Sequence, residues 1–221
     1  MSEFINTIDV LGDDAVIDSI IDRTITEFKD NTLTTIGQYA FFNCTALAEL
    51  DMPMVTSIGN NAFQQCTAIR SINFPLVDTI GGSAFSGCKY LDNVKIPIIT
   101  KLNNREFQDC QSLTKIDLPK VTTIGSYAFY GCRRLVAVIL RSETVCANTA
   151  TTTLGNCYHF IGTNAPENPG GAKDGYFYVP RALVDSYKAA TNWSTYAAQF
   201  RALEDYTVDG TITGELDETK I

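Results

Sequence analysis

The sequence predicts an α/β solenoid built from 22-residue coils, with a short parallel sheet on one face and helical or 3-10 turns on the other. Three observations predict this fold class. Cysteine recurs every 22 residues, several apolar positions keep the same step, and most repeats contain a short alternating segment that ends at proline. A fixed period in the range of roughly 20–50 residues is the sequence signature of repeat architectures.

Eight columns of the repeat stay in phase over five copies, and the unit reads I-G-x-x-A-F-x-x-C-x-x-L-x-x-I-x-L-P-x-V-T-x. The cysteine column is Cys44, Cys66, Cys88, Cys110 and Cys132, and the phenylalanine column is Phe41, Phe63, Phe85, Phe107 and Phe129. A partial copy precedes them, because Ile25, Phe28 and Leu33 lie 22 residues before Leu47, Leu50 and Val55.

Each part of the unit has a physical reason. The segment Leu50-Asp51-Met52 alternates inward and outward residues, which predicts a strand with one buried face, and proline then ends it. The Ile-Gly pair starts a second bend, where glycine is expected to take a positive φ. The Ala-Phe-x-x-Cys segment places three apolar groups inside a helical or 3-10 turn. One coil alone cannot bury these groups, so the coils must stack.

These motifs give the chain a specific resemblance. The unit resembles the BspA-like, or Treponema-type, leucine-rich repeat, whose hallmark is "IG-x-x-AF-x-x-C-x-x-L", over about residues 25–145. The resemblance implies a surface protein of bacteria or protozoan parasites that adheres to host or partner proteins, and similar arrays are also common in gut bacteria and their phages. A fold-level likeness of this kind is a weak warrant for function.

The two ends depart from the repeat. We expect an N-terminal cap at residues 1–24, repeats at 25–145, a C-terminal cap with strand and helix at 146–207, and an acidic tail at 208–221 that is flexible or forms a short strand. Residues 176–180 predict the strand and residues 181–190 the helix. Trp193, Tyr196, Phe200 and Leu203 extend the apolar stripe of this helix. The segment "YVP-x-x-LV-x-x-YK-x-A-x-x-W" also resembles the C-terminal cap of BspA-like chains.

Composition excludes some classes of partner. The net charge is −8, whereas nucleic acids and anionic membranes require a basic surface, so we expect neither as partner. The sequence has no stretch of about 20 apolar residues, so we expect no membrane insertion. Residues 1–6 show no features of a secretory signal, which favours cytoplasmic synthesis or a place in a virion, whereas the family resemblance implies a cell surface.

The cysteines are the first candidates for chemistry. Those in the repeat replace a medium-sized apolar residue, so we interpret them as buried thiols. Cys146, Cys157 and His159 lie outside the ladder, and either a Cys146–Cys157 disulfide or two cap thiols fits the sequence. A closed zinc site needs four ligands, and no C-x-x-C is present. We therefore predict no metal and no other cofactor.

Exposed positions of the coils are the candidate binding residues. The outward strand columns are Glu49, Ser71, Asn93, Lys115 and Ala137, and Asp51, Asn73, Lys95, Asp117 and Ile139. A second candidate surface is formed by outward aromatics, Tyr39 and Phe42 in the first full coil and Tyr127 and Tyr130 in the fifth. Exposed aromatics are enriched at interfaces, although these could equally pack on the caps. Asn61/Gln64, Ser83/Ser86 and Arg105/Gln108 occupy the same positions in the middle coils.

The fourth coil departs from the consensus at Asn103, which replaces glycine, and at Glu106, which replaces the buried alanine. Asparagine tolerates the left-handed conformation expected for the glycine. A charge at position 106 is unfavourable unless it turns outward or pairs, for example with Arg105. Local relaxation and a marked interaction site are the two alternatives.

No catalytic motif is recognisable in the sequence. The leading hypothesis is therefore a non-enzymatic recognition or adhesion module that binds a protein or glycan on another surface. The alternative is a structural component of a larger assembly, such as a phage particle or a bacterial surface layer. An enzyme is the third and disfavoured hypothesis.

Overall fold

A computed structural model describes residues 23–221, so the cap predicted at residues 1–24 lies almost wholly outside the described residues. The described residues contain fourteen short strands. They are β1 Glu27–Lys29, β2 Thr35–Ile36, β3 Glu49–Asp51, β4 Ser57–Ile58, β5 Ser71–Asn73, β6 Thr79–Ile80, β7 Asn93–Lys95, β8 Lys101–Leu102, β9 Lys115–Leu118, β10 Thr123–Ile124, β11 Ala137–Leu140, β12 Ala147–Asn148, β13 Tyr176–Val179 and β14 Phe200–Ala202.

Helices are confined to the C-terminal third of the described chain. The α-helices are α1 Tyr158–Ile161 and α2 Val184–Ala189, and the 3-10 helices are Thr151–Leu154, Arg181–Leu183, Ser194–Gln199 and Leu203–Asp205. The predicted helix at residues 181–190 is thus a 3-10 turn followed by α2.

The strands pair in parallel with the register of the sequence repeat. Phe28 pairs with Leu50 and Ile72 with Val94, each at a step of 22 residues. The pairing of β1 with β3 confirms the partial copy before the first full coil. The strands form two columns. One column contains the odd-numbered strands from β1 to β13 and ends with β14, and the other contains the even-numbered strands from β2 to β12. The predicted solenoid of stacked coils is therefore confirmed.

The phenylalanine column forms a continuous stack through the core. Successive rings from Phe41 to Phe129 are nearly parallel, with interplanar angles of 3–8°, and their centroids are 5.0, 5.3, 5.6 and 6.1 Å apart. All five rings are buried. Burial of one such side chain contributes about 1.5–3 kcal/mol.

The cysteine column has a polar role as well as an apolar one. From the second full coil onward, each thiol of the column donates a hydrogen bond to the phenylalanine carbonyl oxygen of the preceding coil, beginning with Cys66 Sγ to Phe41 O at 2.9 Å. The same bond recurs from Cys88, Cys110 and Cys132 at 3.1–3.3 Å. A valine would fill the space but could not donate. The prediction of buried thiols is confirmed for this column.

On the turn side, each coil makes turns with bonds between residues three apart, as in a 3-10 helix. In the first full coil they run from Ala40 N to Gly37 O, from Phe42 N to Tyr39 O and from Cys44 N to Phe41 O. Two positions per coil have φ between 58° and 77°, which prevents a continuous helix. They are Tyr39, Asn61, Ser83, Arg105 and Tyr127, and Asn43, Gln65, Gly87, Asp109 and Gly131.

The consensus glycine of the Ile-Gly pair has a different role from the one expected. Positive φ occurs two residues later, so the expectation of a left-handed glycine is wrong. The glycine is needed because neighbouring backbones pass too closely for a side chain. A Cβ on Gly59 would lie 2.5 Å from Gln38 N, and one on Gly81 would lie 2.3 Å from Asn60 N.

The coil geometry continues beyond Leu140, where the sequence period ends. Strand β12 pairs with β10, and Cys157 Sγ donates to Phe129 O at 2.8 Å, which makes Cys157 a further member of the thiol ladder. Three extra residues between Cys132 and Cys157 obscure this relation in the sequence. Strand β13 then pairs with β11, and the predicted strand at residues 176–180 is confirmed.

An aromatic cluster closes the C-terminal end of the core. Phe177 lies 5.0 Å from Trp193 and 5.1 Å from Phe200, measured between ring centroids. Trp193 Nε1 donates to Cys146 O, and Tyr187 Oη accepts from Cys146 N. The indole N–H of Trp193 and the hydroxyl of Tyr187 therefore each have a hydrogen-bond partner in the backbone of Cys146.

The C-terminal segment lies against the outer face of the strand column. Ala137 and Ile139 of β11 are buried there in a small cluster of apolar residues. The partly buried members contributed by the chain end are Tyr206, Ile212, Leu216 and Ile221. Arg141 donates to Ile212 O and Gly214 O and forms an ion pair with Asp117. The segment expected to be a flexible tail or a short strand is thus packed onto the sheet.

Loss of one ring from the stack should strongly destabilise the fold. We expect Phe85→Ala to lower the free energy of unfolding by about 3–5 kcal/mol, because it opens a cavity between two coils. Urea denaturation followed by circular dichroism measures the change. Tyr90→Ala is the matched control, because Tyr90 is 53% exposed and should cost less than about 1 kcal/mol. Equal losses for the two variants would contradict a stack-dependent core.

Candidate functional site

The first candidate surface is the sheet face, defined as the outward residues of strands β3, β5, β7, β9 and β11. Glu49, Asp51, Ser71, Asn73, Asn93 and Lys95 are exposed, and their side chains are small or charged with both signs. The three strands that carry them form an open, mixed-charge surface without an enclosed pocket.

The C-terminal segment occupies the remainder of the sheet face. Lys115 forms an ion pair with Glu218, and Asp117 is held by Arg141 in a two-oxygen bond at 2.8–3.0 Å. Ala137 and Ile139 are fully buried. The predicted binding residues Lys115 and Asp117 are therefore engaged within the chain, which limits the open sheet face to three strands.

The second candidate surface is a shallow groove along the turn side, which we call the turn groove. Five coils each contribute the two residues that follow the consensus glycine position. Its lining residues are Gln38, Tyr39, Asn60, Asn61, Gly82, Ser83, Asn104, Arg105, Ser126 and Tyr127. Amide and hydroxyl side chains, together with Arg105, therefore form the middle of the groove, and a tyrosine lies at each end.

The predicted aromatic residues form two edge-to-face pairs at the ends of this surface. Tyr39 and Phe42 have ring centroids 5.7 Å apart, and Tyr127 and Tyr130 have centroids 5.5 Å apart. Tyr39 is the most open, at 47% exposure. Tyr130 instead turns toward the following coil, where its hydroxyl oxygen accepts a bond from Asn156 Nδ2 at 2.8 Å. Tyr39 from the first pair and Tyr127 from the second pair therefore line the turn groove.

A column of left-handed residues runs along the whole groove, and none of its members is glycine. Tyr39, Asn61, Ser83, Arg105 and Tyr127 have φ of 58–60°. Outside glycine, and to a lesser degree asparagine, this conformation costs roughly 1–2 kcal/mol per residue. The second left-handed column uses glycine at Gly87 and Gly131. Side chains are thus retained in the groove at positions where glycine would fit the backbone better.

Two asparagine side chains of the groove are fixed by the backbone of the next coil. Asn60 Oδ1 accepts from Gly82 N at 2.8 Å, and Asn104 Oδ1 accepts from Ser126 N at 2.9 Å. These bonds orient the amide NH₂ groups without using them. Asn60, Asn104, Gln38 and Ser126 were missed by the sequence analysis. Asn60 and Asn104 follow the consensus glycine position of their coils, and this shared position is the signal that could have identified them.

Asn103 and Glu106 form a coupled exception to the repeat. In neighbouring coils the backbone N–H of Gly81 or Gly125 donates to a strand carbonyl of the preceding coil. In the fourth coil Asn103 Nδ2 makes this bond, to Ile80 O at 2.5 Å, and the Asn103 N–H donates to Glu106 Oε2 at 2.6 Å. Each replacement therefore accommodates the other. Asn103 does not adopt a positive φ, so that expectation is wrong.

Glu106 is completely buried, and its second oxygen has no hydrogen-bond partner within the described chain. It neither turns outward nor pairs with Arg105, whose guanidinium lies over the Tyr127 ring at 5.3 Å. Burial raises the pKa of the Glu106 carboxyl well above its ordinary value of 4.5. The two widest spacings in the phenylalanine stack are those of Phe107, the residue next to it. Glu106 is thus an internal feature, away from any exposed interaction surface.

The thiols are poorly suited to nucleophilic chemistry. Burial raises the pKa of Cys88 and of Cys146 to about 12, so both remain protonated at neutral pH. Cys146 and Cys157 are buried thiols without a mutual disulfide in the structure. His159 Nδ1 lies 2.7 Å from Asp174 Oδ1. Residues 23–221 contain no group of three or more metal-ligating side chains that could hold an ion.

Stacked coils with an apolar interior, parallel strands and a 22-residue repeat define a leucine-rich-repeat protein. The family model described as the BspA type leucine rich repeat region matches residues 21–136 in 6 copies, just over half of the chain. The chain therefore belongs to the BspA-type leucine-rich-repeat family.

The chain is also similar to solved structures of bacterial leucine-rich-repeat proteins. A leucine rich cell surface protein from Faecalibacterium prausnitzii is 20% identical, with a TM-score of 0.40 over 67% of this chain and 52% of that chain. A leucine rich repeat protein from T. pallidum is 21% identical, with a TM-score of 0.37 over 57% and 49%. One from Bacteroides ovatus is 23% identical, with a TM-score of 0.37 over 61% and 54%.

The chain thus spans about half the length of each of these structures. No curated protein is detectably similar in sequence. Within residues 23–221, no helix has the length and apolar character needed to cross a membrane.

The buried carboxyl should make stability depend on pH. Because the pKa of Glu106 is raised in the folded state, folding binds a proton that the unfolded chain releases above pH 4.5. The stabilisation is complete below that pH and is lost as pH rises toward the folded-state pKa. We expect Glu106→Gln, which mimics the protonated acid, to become increasingly more stable than the wild type as pH rises above 4.5.

Urea denaturation at several pH values measures this difference. Glu143→Gln, at an exposed position, is the matched control and should follow the wild-type profile. Parallel profiles for Glu106→Gln and the wild type would contradict the assignment of Glu106 as a buried neutral acid.

Proposed function

We propose that the chain is a recognition or adhesion module without catalytic activity, which binds a protein or a glycan on another surface through its repeats. One observation carries the proposal. The apolar residues that recur in every coil are buried, whereas residues that differ between coils are exposed along the open sheet face and the turn groove. Leucine-rich-repeat proteins typically mediate interactions in this way, through a rigid scaffold with variable outward positions.

Further properties support a binding role. The net charge of −8 disfavours a nucleic-acid partner. The buried ionisable groups contribute to the core: the thiols bond to carbonyl oxygens, and Glu106 completes a backbone bond. We also propose a location at a cell surface, which the family resemblance implies. Incorporation into a larger assembly, such as a phage particle or surface layer, is the alternative to be tested.

Binding to a surface should depend on the variable outward residues. We expect the immobilised protein to capture intact bacterial or host cells, or components of an array of proteins and glycans. Two variants separate the surfaces, Tyr39→Ala/Tyr127→Ala for the turn groove and Asp51→Lys/Lys95→Glu for the sheet face. We expect the variant that alters the binding surface to capture its target about tenfold more weakly, which corresponds to a loss of about 1.4 kcal/mol of binding free energy.

Tyr90→Ala serves as the control, because Tyr90 is an exposed tyrosine outside both surfaces. Light scattering after size-exclusion chromatography is measured on the same samples. Concentration-dependent assembly without any capture would favour the assembly component over the recognition module, and hydrolysis of a substrate by the purified protein would overturn the non-enzymatic assignment.

A further inference from the structure

We propose that the turn groove binds an extended, neutral oligosaccharide, with Tyr39 and Tyr127 as stacking platforms at its ends and the amides and hydroxyls between them as hydrogen-bonding partners. The inference rests on the proposed recognition function, and it specifies the surface and the chemical class of the ligand.

The charge of the groove selects a neutral ligand. Of its lining residues only Arg105 is ionised, and its guanidinium lies 5.3 Å from the centre of the Tyr127 ring. The lining has no carboxylate to bind a cationic ligand and no cluster of cations to bind a phosphate or a sulfated chain. The remaining side chains are amides, hydroxyls and tyrosines, which match the hydroxyl groups and apolar ring faces of sugars.

Two amide donors of the groove are held in position before a ligand arrives, and a third amide, that of Asn61, already donates to Gln64 Oε1. Asn60 and Asn104 each use the side-chain oxygen to accept a backbone N–H of the next coil, so each NH₂ group has a fixed direction. No partner within residues 23–221 occupies these NH₂ groups or the hydroxyl groups of Ser83 and Ser126. Fixed donors lose little freedom on binding, which favours recognition of a polar ligand.

A peptide strand fits the groove less well, because the backbone there is already paired. Tyr39 N donates to Asn60 O, Asn61 N to Gly82 O, and the same bond continues in the next two coils. Addition of a peptide strand needs unpaired backbone groups at an edge. A glycan needs only side-chain partners and ring platforms.

The spacing of the coils sets the length of the ligand. Tyr39 and Tyr127 are four coil steps apart, which corresponds to roughly 20 Å. A coil step is roughly 4.8 Å, which is close to the length of one ring in an extended β-1,4-linked chain, so a ligand of about four or five rings reaches both tyrosines. The left-handed column between them supplies one side chain per ring, which gives a reason for retaining Ser83 where the backbone favours glycine.

Isothermal titration calorimetry tests the proposal with neutral hexasaccharides and disaccharides of β-1,4-linked glucose, mannose and N-acetylglucosamine, which form extended chains. We expect at least one hexasaccharide to bind at least about tenfold more tightly than its disaccharide, because only the longer chain spans both platforms. Tyr39→Ala and Tyr127→Ala should each weaken this binding about tenfold or more. Tyr90→Ala should leave it unchanged.

Ser83→Gly separates binding from folding, because glycine suits the backbone at φ 59° but removes the hydroxyl. We expect unchanged or higher thermal stability together with weaker hexasaccharide binding. Absence of binding by every probe, or binding that is insensitive to both tyrosine variants, would overturn the oligosaccharide assignment. If capture of a protein-bearing surface still depended on Tyr39 and Tyr127 in that case, the recognition function would stand and the ligand would be a protein.

Discussion

Contact between the phenylalanine rings of successive coils is the interaction on which the rest of the structure depends. A single coil encloses no interior, so each ring is buried only by the coils on either side. The hydrogen bonds follow the same rule. On the strand side the backbone bonds run in both directions, as from Gly59 N to Ile36 O and from Phe74 N to Lys95 O. On the turn side an earlier coil donates to a later one, as from Phe41 N to Ala62 O. Every coil is therefore bound to both neighbours by both kinds of group.

This constraint determines where the chain can vary. Inward positions must fit the ring stack and the thiol ladder, so they are nearly constant, whereas the outward positions other than the recurring proline and threonine differ from coil to coil. One inward exception, Glu106, is accommodated only with a second change at Asn103, because the displaced backbone N–H needs a new acceptor. The freedom of the outward positions is what makes the sheet face and the turn groove suitable for recognition.

Much of the fold was predictable because periodicity reports directly on stacking. The columns of Phe41 and Cys44, the parallel register and the strand at residues 176–180 follow from spacing and alternation alone. The role of the consensus glycine was not predictable, since it depends on the approach of a neighbouring backbone. Cys157 escaped the pattern because three extra residues precede it, although its contact is the same as in the other coils.

Contacts between segments that are distant in the sequence could not be predicted from the periodicity either. The docking of the chain end on β11 had one signal in the sequence, the apolar Ala137 and Ile139 in otherwise polar columns. Among the candidate site residues, Tyr39 is exposed, and so are the sheet-face residues of β3, β5 and β7, as their outward positions in the repeat predict. The ion pairs of Lys115 and Asp117 could not be predicted, because their partners are distant in the sequence. The groove joins residues from five coils, and only stacking brings them together.

A double-mutant cycle on the ring stack tests the central claim most directly. The rings of Phe63 and Phe85 are in contact at 5.3 Å, whereas Phe41 and Phe85 are separated by one coil. Replacement of each by leucine, singly and in pairs, gives the coupling free energy from urea denaturation. Direct stacking predicts a coupling of about 0.5–1.5 kcal/mol for Phe63 with Phe85 and less than about 0.5 kcal/mol for Phe41 with Phe85. Additive effects for the adjacent pair would contradict the account.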